Sequence, residues 1–273
     1  MKVFYPYLKK INYGYRYLLT LITGTEFQPT VFHPQFHIGR LMKQHLKEVG
    51  PFIDREGVLL DVGCGNQPYR DLFCHRIRTY LGVDMPQHRK FEPFVTRKGY
   101  RPDIISNVLK LPIQNNTIDI VLCTQVLEHV SEPSELLKNL NHVLKYKKYV
   151  ILTCPQSYPI HDREHDYFRF TSHGLRYLFK KNGFEIIEIK RHGGYWIYMA
   201  LMWNVYVNIN LFREGENDLA YRLPMSILKV IFTPFLLISN VLFNLSAWGL
   251  DKIDMDQNFT HNYTVIGRKI SSV

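Results

Sequence analysis

VLLDVGCGNQPY (58–69) is the stretch that decides the fold. Four apolar residues and Asp61 form a short buried strand that runs into a Gly63-Cys64-Gly65 turn. Glycines at such a point let the main chain bend sharply and let a ligand lie against bare backbone. A second apolar run, TYLGVD (79–84), closes on Asp84 about 20 residues further on, where an acid can take both hydroxyls of a ribose. The expected ligand position is therefore the carboxyl end of the first strand, at the switch point of an open sheet.

Outward from this segment, apolar runs alternate with helical patterns. FHIGRLMKQHLKEV (36–49) reads as an amphipathic helix, IDIVLCTQ (118–125) as a strand, and PSELLKNLNHVLK (133–145) as a helix opened by proline. YVILTCP (149–155) reads as a strand stopped by Pro155. A helix follows from Thr171 to Lys181, capped by Thr171 or Ser172 and ended by Asn182-Gly183. FEIIEIK (184–190) and NYTVIGRK (262–269) are the closing strands. The alternation predicts an α/β fold, a Rossmann-like and mostly parallel sheet with helices on both faces. The segments divide into an aromatic and basic extension (1–34), a core (35–192), an apolar helical insertion (193–261) and a final strand returning to the core (262–273).

Two nucleoside cofactors compete for the glycine turn. A dinucleotide fingerprint needs a third glycine where this chain has Pro68, which carries a ring and no amide donor. A sulfonium nucleoside carries positive charge and no phosphate, and Asp61 beside the turn suits such a cation. A structural turn that binds nothing is the remaining alternative.

The chain resembles the class I S-adenosylmethionine-dependent methyltransferases, in particular the methyltransferase type 11 group. LDVGCG matches the family's first motif at Asp61, Gly63 and Gly65, with Cys64 between, and Asp84 matches its ribose-binding acid. NVLKLPIQNNTIDIVLCTQVLEHV (107–130) matches its next block at Leu111, Pro112, Asp119, Leu127, Glu128 and His129. The resemblance implies a seven-stranded sheet with an antiparallel last strand. It also implies S-adenosylmethionine as cofactor, held by Asp61, Gly63, Cys64, Gly65, Asp84, Asn107 and Gln125. Asn107 stands where the family often has Asp near the adenine amino group, and its carbonyl oxygen can still accept a hydrogen bond. Gln67 replaces the motif's third glycine, which implies a tighter turn or lower affinity. Some quinone O-methyltransferases of the family hold a divalent metal on a Glu-x-x-Glu-His cluster. Gln125 replaces the first Glu here, so no metal is expected.

Methyl transfer to a hydroxyl requires a positioned acceptor and a route for its proton. CPQSYPIHDREHDYFRFT (154–171) follows the fifth strand and offers His161, Asp162, His165, Asp166, Tyr167 and Arg169. His161 or His165 is the expected base, since imidazole titrates near neutral pH, with Asp166 as a further catalytic candidate. His129, Tyr167 and Arg169 are candidate acceptor contacts. The Asp-Tyr-x-Arg-x-Thr tail resembles a signature of bacterial methyltransferases acting on sugars, lipids or natural products. Asp166 and Arg169 have a second reading, as an ion pair fixing the loop.

With 273 residues and a net charge of +10, the chain is basic, yet no helix-turn-helix or aromatic-basic RNA motif is readable, so no nucleic-acid partner is expected. Cys64, Cys74, Cys123 and Cys154 form no CxxC pair and suit reduced thiols in the cytoplasm. The start has no continuous apolar h-region, so no secretory leader is expected. YWIYMALMWNVYVNINLF (195–212) carries no charge, REGENDLAYR (213–222) is charged, and MSILKVIFTPFLLISNVLFNLSAW (225–248) is interrupted by Pro234. This insertion reads as a spanning hairpin, a helical cap buried on the domain or in a homodimer, or a patch lying in a membrane interface. Trp196, Trp203 and Trp248 favour the last, with a small-molecule or lipid-linked acceptor at the inner face of the membrane.

Overall fold

The computed structural model describes residues 5–85, 101–162, 164–210, 219–256 and 258–273. The last two residues of the stretch at 195–212 and the first six of the charged stretch at 213–222 lie outside them. The elements run α1 (Tyr5–Thr23), β1 (Gly24–Thr25), β2 (Gln28–Pro29), α2 (Phe36–Glu48), β3 (Val58–Val62), α3 (Arg70–Phe73), β4 (Thr79–Asp84), β5 (Ile104–Ile105) and β6 (Ile118–Thr124). They continue with α4 (Pro133–Val143), β7 (Leu144–Pro155), α5 (Ser172–Lys181), β8 (Phe184–Arg191), α6 (Tyr195–Val205), α7 (Leu219–Leu250) and β9 (Asn262–Lys269). Contacts divide the chain into two compact units: Met42–His192 with Thr260–Val273, and Met1–Leu41 with Gly193–Phe259. The N-terminal extension and the apolar insertion thus belong to one unit.

In the α/β unit seven strands lie in the order β5-β4-β3-β6-β7-β9-β8. All pairings are parallel except those of β9, which runs antiparallel to both β7 and β8. The expected seven-stranded sheet and its reversed last strand are both present. Strand order turns back between β3 and β6, so their carboxyl ends open the crevice where ligands of such sheets bind. Leu60, Val62, Val121, Cys123, Val150 and Leu152 join the side chains of α4 and α5 in one buried cluster. Leu59, Ile120, Leu122 and Ile151, of opposite parity, are equally buried, so the sheet is covered on both faces.

Two features fix the ends of this sheet. The buried Lys269 ammonium donates to Asn116 Oδ1 (2.9 Å) and to the carbonyls of Asn141 (2.7 Å) and Leu144 (2.9 Å), filling its three donors. Thr171 caps α5 by accepting from the Gly174 amide at 3.1 Å, as its place before the helix predicts. β7 begins at Leu144, five residues before the apolar run that predicted it: Leu144 pairs with Ile118 of β6, and after an irregularity the ladder resumes with Tyr149 opposite Ile120.

The helical unit corrects the sequence reading at Pro234. α7 runs unbroken from Leu219 to Leu250 through that proline. A proline removes a single helix hydrogen bond, and the Thr233 hydroxyl, one residue before it, donates to the Lys229 carbonyl at 2.7 Å. Asparagines join α7 to the α6 segment. Asn204 Nδ2 donates to Asn244 Oδ1 (3.0 Å) and Asn208 Nδ2 to Asn240 Oδ1 (2.8 Å). Asn240 also donates to the Phe32 carbonyl (2.9 Å), and Asn244 to those of Val31 (2.8 Å) and His33 (3.0 Å).

Candidate active site

The bend after β3 has the backbone its glycines allow. Gly63 (φ 69°) and Gly65 (φ 51°) both take the left-handed conformation. The amides of Gly63 and Cys64 donate to the Val83 carbonyl at 2.9 and 3.1 Å, which ties the bend to the end of β4. A side chain at Gly63 would collide with Val126, two residues beyond the end of β6, whereas the space beside Gly65 is open. Asp84 faces the bend: its Oδ2 accepts from the Gly65 amide at 2.6 Å and its Oδ1 from the Met85 amide at 2.7 Å.

Beneath the bend lies Asp61, buried, with Oδ2 accepting from the Tyr80 hydroxyl at 2.5 Å and Oδ1 holding no partner. Burial pushes this carboxyl up to about 7, against the pull of the Tyr80 hydrogen bond. A buried carboxylate oxygen without a partner is costly, and a cationic ligand group is what would relieve it. The donor set, the open space at Gly65 and Asp84 therefore fit an amine-bearing adenosyl sulfonium. Cys64 is buried beside these acids and its thiol is pushed up by burial, so it lines the bend without reactivity.

Gln67 adopts φ 53°, in the left-handed region that favours glycine. Its buried amide donates to the Arg101 carbonyl (2.8 Å) and accepts from Arg70 (2.5 Å), so it braces the bend against the segment before β5. Asn107 Oδ1 accepts from the Leu109 amide at 2.9 Å, a local turn that leaves its second lone pair and its amino group for a base edge. Gln125 (φ 54°) donates through Nε2 to Thr153 Oγ1 (3.0 Å) and Asn262 Oδ1 (3.3 Å), which places it across the ends of β6, β7 and β9.

The loop after β7 is organised by Arg169. Its guanidinium binds both oxygens of Asp166 (2.5 and 2.7 Å) and the carbonyls of Tyr158 (3.0 Å), Phe168 (2.8 Å) and Pro159 (3.3 Å). These bonds engage all five guanidinium N–H groups, and they hold the Asp166 carboxyl below the usual carboxylate range. The ion-pair reading of Asp166 and Arg169 is the arrangement found. The Tyr167 and Phe168 amides donate to the Glu128 carbonyl (2.9 and 3.2 Å), and the Tyr167 ring is exposed.

This clip brings His161 to His129: their Nε2 atoms are 3.0 Å apart. His129 Nδ1 donates to the His165 carbonyl at 3.1 Å, and His161 Nδ1 faces the Pro159 carbonyl at 3.3 Å and Asp166 Oδ2 at 3.4 Å. Burial, then the neighbouring His161, lowers the His129 imidazole from its ordinary value. The half-exposed His165 ring lies 3.7 Å from Asp162, and it is the residue's carbonyl that joins the pair. Glu128 is fully buried, with neither carboxylate oxygen hydrogen-bonded, and burial pushes it up to about 8. The sequence placed Glu128 only as a match to the family block at 107–130, with no role in the site.

Comparison with known proteins agrees with this geometry. A family model described as a methyltransferase domain matches residues 35–189, more than half of the chain. An uncharacterized protein of Methanocaldococcus jannaschii is 34% identical over 94 residues, so the match spans 34% of this chain and 37% of that protein's length. Among solved structures, an S-adenosylmethionine-dependent methyltransferase from Archaeoglobus fulgidus is 16% identical over 93% of this chain and 100% of its own, with a TM-score of 0.52. Geranyl diphosphate C-methyltransferase from Streptomyces coelicolor, solved with Mg2+, geranyl diphosphate and S-adenosyl-L-homocysteine, is 10% identical over 86% of this chain and 78% of its own, with a TM-score of 0.51. These two likenesses concern the fold. Bend, sheet order and sequence match together place the chain in the methyltransferase domain family, the class I fold whose methyl donor is S-adenosylmethionine.

Proposed function

We propose that this protein transfers a methyl group from S-adenosylmethionine to an oxygen of a small-molecule, sugar or lipid-linked acceptor seated beside the 154–171 loop. The observation that carries the reading is Asp61 Oδ1, buried and without a partner next to the open face of Gly65 and the carboxylate of Asp84. When bound, the cofactor supplies a methyl already activated on a sulfonium centre. The chain's part is to hold that cation and receive the acceptor. Asp61 and the Gly63–Gly65 backbone take the charged end, Asp84 the ribose hydroxyls and Asn107 the adenine edge. Gln125 crosses from this side to the acceptor side. The acceptor's proton leaves toward the His129–His161 pair, where His129, its Nδ1–H given to a carbonyl, keeps a lone pair on Nε2 at neutral pH.

Calorimetric titration with S-adenosylmethionine and S-adenosylhomocysteine tests the reading. One site per chain is expected, weakened at least about tenfold in Asp84→Ala. Absence of heat from both ligands would leave a binding protein of the same fold and end the enzymatic reading.

The helical unit supports a location for this activity in the cytoplasm, at the inner face of a membrane. Leu228–Leu250 is long and apolar enough to cross a bilayer. Ile231 (65% exposed), Phe235 (64%), Ile238, Leu242 and Leu245 form one exposed stripe at helical spacing along it. Lys252 and Arg40 lie over the Trp248 ring at 4.6 and 5.5 Å, giving the stripe a cationic aromatic end suited to anionic headgroups. Sedimentation with anionic liposomes, weakening as salt rises, is the expected result. A protein that stays in the supernatant at low salt overturns the location.

A further inference from the structure

We infer that Glu128, His129 and His161 form a binding site for a first-row divalent cation. Among the described residues these three are brought together with one ligand atom each, all within 4.8 Å of one another. The sequence argued against an ion because Gln125 takes the place of a carboxylate. That side chain is committed to Thr153 and Asn262, and the third donor comes instead from His161, 32 residues beyond His129.

The hydrogen bonds around the two rings favour a positive centre between them. A carbonyl only accepts, so His129 Nδ1 carries a proton toward the His165 carbonyl and keeps a lone pair on Nε2. His161 Nδ1 likewise faces only acceptors, the Pro159 carbonyl and Asp166 Oδ2. With both Nδ1 atoms protonated, two neutral rings would present lone pair to lone pair at 3.0 Å. The pair is relieved by a proton or a metal ion between the rings, or by His161 carrying its proton on Nε2, which leaves its Nδ1 lone pair against the Pro159 carbonyl and Asp166 Oδ2.

Three observations favour the ion. Two nitrogens bound at ~2.1 Å to one ion at angles between square and tetrahedral are roughly 2.9–3.4 Å apart, and the observed separation is 3.0 Å. Each ring gives its outward N–H to a backbone carbonyl or a carboxylate, the outer support that orients metal-ligating histidines. Glu128 brings a buried carboxylate with no hydrogen bond, Oε1 lying 3.9 Å from His129 Nε2. Two imidazoles and one carboxylate suit zinc, cobalt, nickel or iron, and three protein ligands leave positions open for an acceptor oxygen. An ion in this place would occupy the Nε2 lone pair to which the proposed function sends the acceptor's proton, so it would replace the histidine pair as base while sharing the same acceptor side, and its binding does not depend on that reading.

Cobalt(II) is the probe, titrated into the full chain after chelator treatment, with S-adenosylmethionine calorimetry run on the same samples. The expected result is one Co2+ per chain with visible ligand-field absorption. His161→Ala should weaken it at least about a hundredfold, more than loss of an outer partner usually costs, and Glu128→Gln should weaken it too. Unchanged cofactor affinity and melting temperature in His161→Ala would show that the variant is folded. No stoichiometric Co2+ binding means the pair holds a proton only and overturns the site, as does a band that survives His161→Ala. Intact Co2+ binding without cofactor binding would strike the methyl-transfer reading and leave the ion site standing.

Discussion

The glycine bend and the histidine loop both follow parallel strands of the sheet at their carboxyl ends but are built from different materials. The bend is main chain: two left-handed glycines, three tethered amides and a carboxylate at the end of the next strand. The loop is side chain: a guanidinium with every N–H engaged, a buried aspartate and two rings nose to nose. Backbone recognition suits a ligand that is the same throughout a family. Side-chain construction suits a partner that differs between members, because single substitutions can rebuild it.

The largest effect should come from breaking the bend. Gly65→Ala meets no neighbouring atom, so the fold should stand, at ~1 kcal/mol for a non-glycine residue at positive φ. Its methyl enters the ligand's space, and cofactor affinity should fall on the order of a thousandfold by calorimetry, the magnitude of several kcal/mol of steric loss. Gly63→Ala collides with Val126 as well, and should lower the melting temperature in addition. If Gly65→Ala binds normally, the bend is not a ligand surface.

Breaking the loop should spare the bend. Arg169→Gln removes the clip that carries His161, and turnover should fall by about a hundredfold through misplacement of the acceptor side, with cofactor Kd nearly unchanged. Equal losses in both quantities would refute the division into two halves.

A pH series sharpens the comparison from the bend's side. Asp61, raised from its ordinary 3.8 to about 7, binds more protons folded than unfolded between those values. Its contribution is thus fully present at low pH and is lost as pH rises toward 7, on the order of 2 kcal/mol between pH 5 and 8. Asp61→Asn should abolish that slope in thermal melts. At pH 6, cofactor binding to the wild type should release a proton, visible as a dependence of calorimetric heat on buffer ionisation enthalpy. The smallest effect belongs to Val126→Ala, which loosens the contact joining the two halves. A few-fold change in both affinity and turnover is expected, and a change in one alone would mean the halves are not joined there.

The two materials also differ in how well a sequence announces them. Gly63, Gly65 and Asp84 were legible because a backbone constraint leaves few residue choices, and strand ends place the acid. The loop was legible only as a set of candidates. An Asp166–Arg169 spacing of three suggests a pair, but the carbonyls of Tyr158 and Pro159 that complete the clip come from the path of the chain. Glu128 was legible only as part of a family block, because its burial without a hydrogen bond arises when the Tyr167–Phe168 segment folds over it. His129 and His161 meet through that same closure. Pro234 misled for a related reason: its local penalty is real, and packing in the helical unit outweighs it.

The paired asparagines of that unit have a consequence of their own. Helices coated in leucine and phenylalanine can slide past each other by a turn with little penalty, since one greasy contact replaces another. Amides at 204 and 208 that meet partners at 244 and 240 remove this freedom, because any slipped alignment strands several of them at once. The same bonds strengthen as their surroundings become drier. The hairpin should therefore keep a single alignment whether water, detergent or lipid lies against its outer face.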